Sequence, residues 1–348
     1  MKKIALTLLI SVSIFSFFLL RPAPLTVAAA DAAVLEWPEP PAPARLRFLE
    51  AHSGMPGNAA GHGIGKVWKF LLGITGVNSS PRRLMAPTGI FAGGGMIYVA
   101  DPGAHGVLRY DEVKKKAEWL PKGRKPKFVS PVAVTVAPDG KIFVADSALG
   151  KVFALDAEGR YLWELRGDPE GMGQPASLAL GDGRLFVSDS REHRVAVYGL
   201  DGVFLYSFGR RGLKAGEFNF PTYMWFDAAA KRLFVCDSGN FRIQILTPEG
   251  KPLSAFGENG DRPGRMARPR GVALDSDGNV YSIDGALEAV QIFDQTGRLL
   301  LFVGREGSRP GEFSLPGGVF VDEKDRVLVA DTFNARVQVF QYLKEKQP

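Results

Sequence analysis

The 348 residues are 45% apolar and include 41 Gly, 24 Pro and a single Cys, a turn-rich composition that can bury a large core but suits strands better than helices. The formal charge is +6 and falls to +3 if residues 1–30, with Lys2, Lys3 and Arg21, are removed, so composition calls for no nucleic-acid partner. Cys236 alone excludes an internal disulfide framework and a cysteine zinc cluster.

Lys2 and Lys3 precede a charge-free, mainly apolar run from Ile4 to Leu20, and Ala28-Ala29-Ala30 then offers small residues before Asp31. These are the three parts of a secretory signal. Cleavage would release a periplasmic or extracellular protein. Retention would leave a membrane anchor, for which 17 residues is at the short limit. Residues 31–44, with the Pro-rich stretch Pro38 to Pro43, read as an extended spacer. Residues 45–348 read as one domain. Within it, Arg45 to Ala51 looks like a lone strand, and Gly65 to Leu72 (with Val67, Trp68, Phe70 and Leu71) like a short amphipathic helix in the 45–80 region.

A repeat then takes over. Six β-branched or aromatic runs end in aspartate, at Asp101, Asp146, Asp189, Asp237, Asp284 and Asp331, spaced by 45, 43, 48, 47 and 47 residues. Each period holds four strand candidates. In the fifth they are Arg270 to Leu274, Val280 to Ile283, Ala289 to Phe293 and Leu299 to Val303, parted by Asp- and Gly-containing turns. Four short antiparallel strands per period of about 45 residues is the signature of a propeller blade. The expected fold is all-β, a six-bladed β-propeller. The last repeat supplies only three strands, so Arg45 to Ala51 is expected to complete it and remove the open edges.

Asp237-Ser238-Gly239-Asn240-Phe241-Arg242-Ile243, Asp331-Thr332-Phe333-Asn334-Ala335-Arg336-Val337 and Asp189-Ser190-Arg191-Glu192-His193-Arg194-Val195 resemble the NHL repeat consensus. The linkers agree: Gly209 to Pro221, Gly257 to Pro269 and Gly304 to Pro316 all read G-x2-G-x3-G-x-[FM]-x2-P. Blades 1, 2 and 5 depart from the consensus at Gly106, Leu149, Leu287 and Ala289. The resemblance covers roughly residues 45–343 and implies a binding scaffold.

The six aspartates recur at one position per blade, so their expected work is structural: accepting backbone N–H groups at a strand end. His105 and His193 stand at the consensus histidine position, too dispersed for a zinc site. Asp275-Ser276-Asp277-Gly278-Asn279 starts like a calcium loop but lacks the closing glutamate and falls at a turn. The pairs that follow each linker proline, Thr88-Gly89, Val132-Ala133, Ala176-Ser177, Thr222-Tyr223, Arg270-Gly271 and Gly317-Gly318, contain no acid. No catalytic residue, metal site or cofactor is therefore assigned. Cys236 fills a small apolar slot.

The linkers carry many basic residues, among them Arg82, Arg83, Arg210, Arg211, Lys214, Arg268, Arg270 and Arg305, and fewer acids. All linkers emerge on one face of the disc, so that face is expected to be basic and to attract an anionic partner. Tyr223 and Trp225 are expected as aromatic anchors on the same face. Two readings stay open. One is a non-enzymatic, monomeric binding module for a protein or an anionic polysaccharide, with nucleic acid disfavoured by export and membrane contact only through a retained N-terminus. The other is a metal-dependent hydrolase or lyase working in the central channel, as in related six-bladed propellers.

Overall fold

A computed structural model of the chain describes residues 34–53, 83–123 and 125–344. The N-terminal segment 1–30, the expected helix from Gly65 to Leu72, and Arg82 lie outside the described residues. Within them, six antiparallel sheets follow one another in chain order. Blade 4 is typical: Pro221–Asp227 is innermost, followed outward by Arg232–Asp237, Arg242–Leu246 and Pro252–Phe256. The protein is a six-bladed β-propeller.

The middle strands alternate apolar residues to both faces, because each blade is covered by a neighbour on either side. The result is six clusters, one at each junction between blades. Ile97, Val99 and Leu108 of blade 1, for example, meet Leu328, Ala330 and Val339 of blade 6, so the ring is continuous. Phe218, Met266 and Phe313, the [FM] residues of the linker pattern, are fully buried in three of these clusters.

The three linker glycines now have physical reasons. Gly209, Gly257 and Gly304 sit at positive φ, where a Cβ would collide with Phe218, Met266 or Phe313 respectively. The third glycine of each pattern donates its N–H to a buried glutamine side chain: Gly216 to Gln244, Gly264 to Gln291 and Gly311 to Gln338. Each linker is thus folded into a compact loop pinned to its own blade.

Ring closure uses Leu46–His52, which pairs antiparallel with Arg336–Tyr342 as the fourth strand of blade 6. Leu46 is fully buried, and Phe48 meets Phe340 edge-on with ring centres 5.7 Å apart. Part of the stretch expected as a spacer is also strand. Glu36–Trp37 pairs with Leu46 and Arg47 as a fifth strand, because the Trp37 ring packs on Phe340 at 5.9 Å and Glu36 pairs with Arg47 at 2.7 Å.

Deleting residues 1–53 is expected to expose the Arg336–Tyr342 edge and the Phe340 ring, giving concentration-dependent light scattering and a melting temperature lower by 10 °C or more. Adding a peptide of residues 34–53 should restore the original melt. A truncated protein as stable and monomeric as the full chain would contradict this closure.

Candidate functional site

The linker face is organised by the six aspartates. Each lies at the end of the second strand, is 0% exposed, and receives backbone N–H groups from the linker that enters its own blade. Asp101 accepts from Met85 and Ala86, Asp146 from Val129 and Ser130, and Asp189 from Gly173 and Gln174. Asp237 accepts from Asn219, Asp284 from Ala267 and Arg268, and Asp331 from Ser314. Four of them also hold the loop after the second strand, as Asp284 does through Ala286 and Leu287. In blades 4 and 6 side chains replace those amides: Asn240, Arg242 and Gln244 converge on Asp237, and Asn334, Arg336 and Gln338 on Asp331. The guanidiniums of Arg242 and Arg336 go on to bond linker carbonyls of Glu217 and Glu312. Linkers and these loops therefore share one face.

That face is less basic than the sequence implies. Arg210 pairs with Glu217 and Arg305 with Glu312, each at 2.9 Å, and Arg265 pairs with Glu258. The curl of the linker brings the two ends of each pattern together, so one arginine of each is paired within its own linker. Arg83, Arg211, Lys214 and Arg268 are exposed. They do not make a continuous positive rim.

Tyr223 and Trp225 are not on this face. Tyr223 reaches across the central channel: its hydroxyl accepts the N–H of Ile90 in blade 1, opposite in the ring, at 3.1 Å. The hydroxyl lies against Gly318 of blade 6, where a Cβ would overlap it and the Thr88 carbonyl. Burial pushes the Tyr223 hydroxyl up to about 12. Trp225 lies further along the strand towards the hairpin turns and meets Phe320 edge-on at 5.2 Å. It packs against the apolar cluster between blades 5 and 6, which includes Ala273 and Val319. Both rings project into the channel, and Tyr223 divides it in two.

On the linker side of Tyr223 the rim consists of Thr88, Val132, Ala176, Thr222, Arg270 and Gly317. Its carbonyls are engaged by hydroxyls of preceding blades: Thr88 donates to Val132, Ser188 to Thr222, Thr222 to Arg270 and Thr332 to Pro87. Arg270 stands apart. It is half-buried, and among the described residues its guanidinium has no hydrogen bond and no ion pair. Burial, then the nearby charge of Arg268, pull its pKa below the ordinary arginine value.

Two exposed aromatics on the same face escaped the sequence reading: Phe220, 52% exposed, and Phe333, 70% exposed. The Phe220 ring meets that of His193 at a tilt of 56°, with centres 4.7 Å apart, and the Phe220 N–H donates to His193 Nδ1. The available signal was an apolar residue at a linker position that holds Ser130, Gln174 and Arg268 in other blades. Cys236 is fully buried and burial pushes its thiol up to about 12. Among the described residues, no group of three or more His, Cys, Asp or Glu side chains could hold a metal ion.

No family model and no curated protein matches the chain. Solved structures do. The chain is similar to a streptogramin B lyase (14% identity, 74% of this chain and 94% of that one, TM-score 0.56). It is also similar to an auxiliary nutrient binding protein from Bacteroides thetaiotaomicron (13%, 74% and 69%, 0.56) and to the WD40 propeller domain of Doa1 (11%, 75% and 94%, 0.52). Likeness at these identities establishes the propeller fold and carries no activity.

Tyr223→Phe tests the plug. With its pKa raised, the folded state keeps the proton that the unfolded state loses above pH 10, so Tyr223 makes stability fall as pH rises from about 10 to about 12. The variant is expected to show a shallower loss over that range in denaturant titrations. Gly318→Ala is expected to destabilise at every pH, and equal pH profiles for Tyr223→Phe and the parent would show that Tyr223 is solvated.

Proposed function

We propose that this chain is an exported binding module whose linker-side channel mouth takes an acidic segment of a partner protein. The observation that carries the reading is Arg270. A half-buried guanidinium without an acceptor is costly, because desolvation is not offset by any protein partner. A carboxylate entering the mouth would complete it with charge-assisted hydrogen bonds.

The surroundings favour protein over polysaccharide as the anion's source. Phe220, Phe333, Leu213 and Met85 leave large apolar surfaces on the linker face, a mixture of apolar and cationic contacts that suits a peptide carrying both apolar and acidic side chains. A sugar polyanion would instead reward a continuous positive rim, which the Arg210–Glu217 and Arg305–Glu312 pairs interrupt. The finer assignment to the NHL type draws support from the Asp–Asn–Arg networks of blades 4 and 6. Export is supported by Lys2, Lys3 and the apolar run that follows, and a single propeller suffices for the site.

The test is Arg270→Met in the mature protein, titrated with peptides that carry Asp or Glu beside aromatic residues and with their Asn or Gln counterparts. The acidic peptides should bind the parent at least about tenfold more tightly than the amide forms, the worth of one charge-assisted bond. Arg270→Met should erase that preference while raising stability by about 1 kcal/mol, since it removes an unpaired buried charge. Equal binding of both peptide sets to the parent, or a destabilised variant, would contradict the reading.

A further inference from the structure

Beyond Tyr223 the innermost strands line the other half of the channel, towards the hairpin turns. This half holds a cavity of about 210 Å³. Its walls are Phe91, Leu180, Trp225, Phe226 and Phe320, with Tyr223 as the floor. The Phe320 ring touches both Phe91 and Trp225, each with ring centres 5.2 Å apart. An apolar cavity of about 150 Å³ is already enough to admit benzene.

The chemistry of the lining is selective. It contains no Asp, Glu, Lys, Arg or His, so a charged ligand would lose its hydration without compensation. Two polar side chains of the lining, those of Thr135 and Trp225, make no hydrogen bond among the described residues. Thr135, on the innermost strand Pro131–Val136 of blade 2, lines the cavity and is only 6% exposed. Its hydroxyl has no hydrogen-bond partner among the described residues. Ser177 Oγ accepts the Met224 N–H at 3.2 Å, and the Tyr223 hydroxyl accepts that of Ile90, so neither of these oxygens is without a partner.

We propose that this half-channel is a second binding site, for a small uncharged ring compound that bears one hydrogen-bonding group. The ring lies among Phe91, Trp225 and Phe320, and the polar group meets the Thr135 hydroxyl. Tyr223 separates the site from the linker mouth, so it does not depend on the acidic-peptide reading.

The probes are 4-fluorophenol, fluorobenzene and 4-fluorobenzoate, followed by fluorine NMR with the full-length protein. 4-Fluorophenol should give a saturable shift with a dissociation constant of about a millimolar or tighter, and 4-fluorobenzoate none. Thr135→Val, which keeps the shape, should weaken 4-fluorophenol about five- to tenfold and leave fluorobenzene unchanged. Leu180→Trp should fill the space and abolish both, with the melting curve confirming that it folds. Saturating acidic peptide should not displace the phenol. Absence of saturable phenol binding, binding that survives in Leu180→Trp, or equal loss of both neutral probes in Thr135→Val would overturn the proposal.

Discussion

A carboxylate sealed from water at the end of each second strand holds this molecule together. Six fully buried aspartates would be ruinous without donors. Each instead receives groups from three or four N–H-bearing partners: the linker entering the same blade, the loop leaving its second strand and, in blades 4 and 6, side chains of the third strand. One interaction therefore stabilises the strand end, curls the linker and decides which backbone reaches the channel rim. In blades 4 and 6 the arginine and glutamine join the clamp, and a single guanidinium bridges the aspartate and the carbonyls of the linker.

From that geometry follow two unlike chambers. The linker side ends in hydroxyls that satisfy rim carbonyls, and in Arg270, whose guanidinium has no partner among the described residues. The hairpin side is closed by rings. What divides them is a tyrosine longer than the channel radius, accommodated only because Gly318 offers no side chain on the opposite wall. The bore thereby has one end that carries a cation and one whose lining carries no charge, and the two favour different ligands.

The blade count, the aspartate positions and the closing strand were legible in the sequence because each rests on a local pattern: a period, an alternation or a missing fourth strand. Linker glycines were legible for the same reason. The basic rim was misjudged because Arg210 and Glu217, or Arg305 and Glu312, lie seven residues apart and meet only when the loop has curled. Tyr223 was misplaced because its direction depends on Gly318, in another blade and far along the chain. Trp225 was misplaced for a similar reason: the residues it packs on, Phe320 among them, lie in other blades. Arg270 was named for its charge, but its solitude could not be read from sequence, since it depends on which rim carbonyls other blades have engaged. Phe220 and Phe333 were overlooked because single apolar residues in loops are common.

The account ties the clamp to the mouth, and Asp284→Asn tests that tie without touching any group proposed to meet a ligand. The amide would turn donors towards the N–H groups of Ala267 or Arg268, which Asp284 now accepts at 2.7 and 3.0 Å. Hydrogen exchange and acidic-peptide affinity should be measured on the same variant. The account predicts faster exchange at Ala267 and Arg268, unchanged exchange at the linker amides of the other blades, and weakened peptide binding. Faster exchange at those two amides with undiminished binding would contradict it.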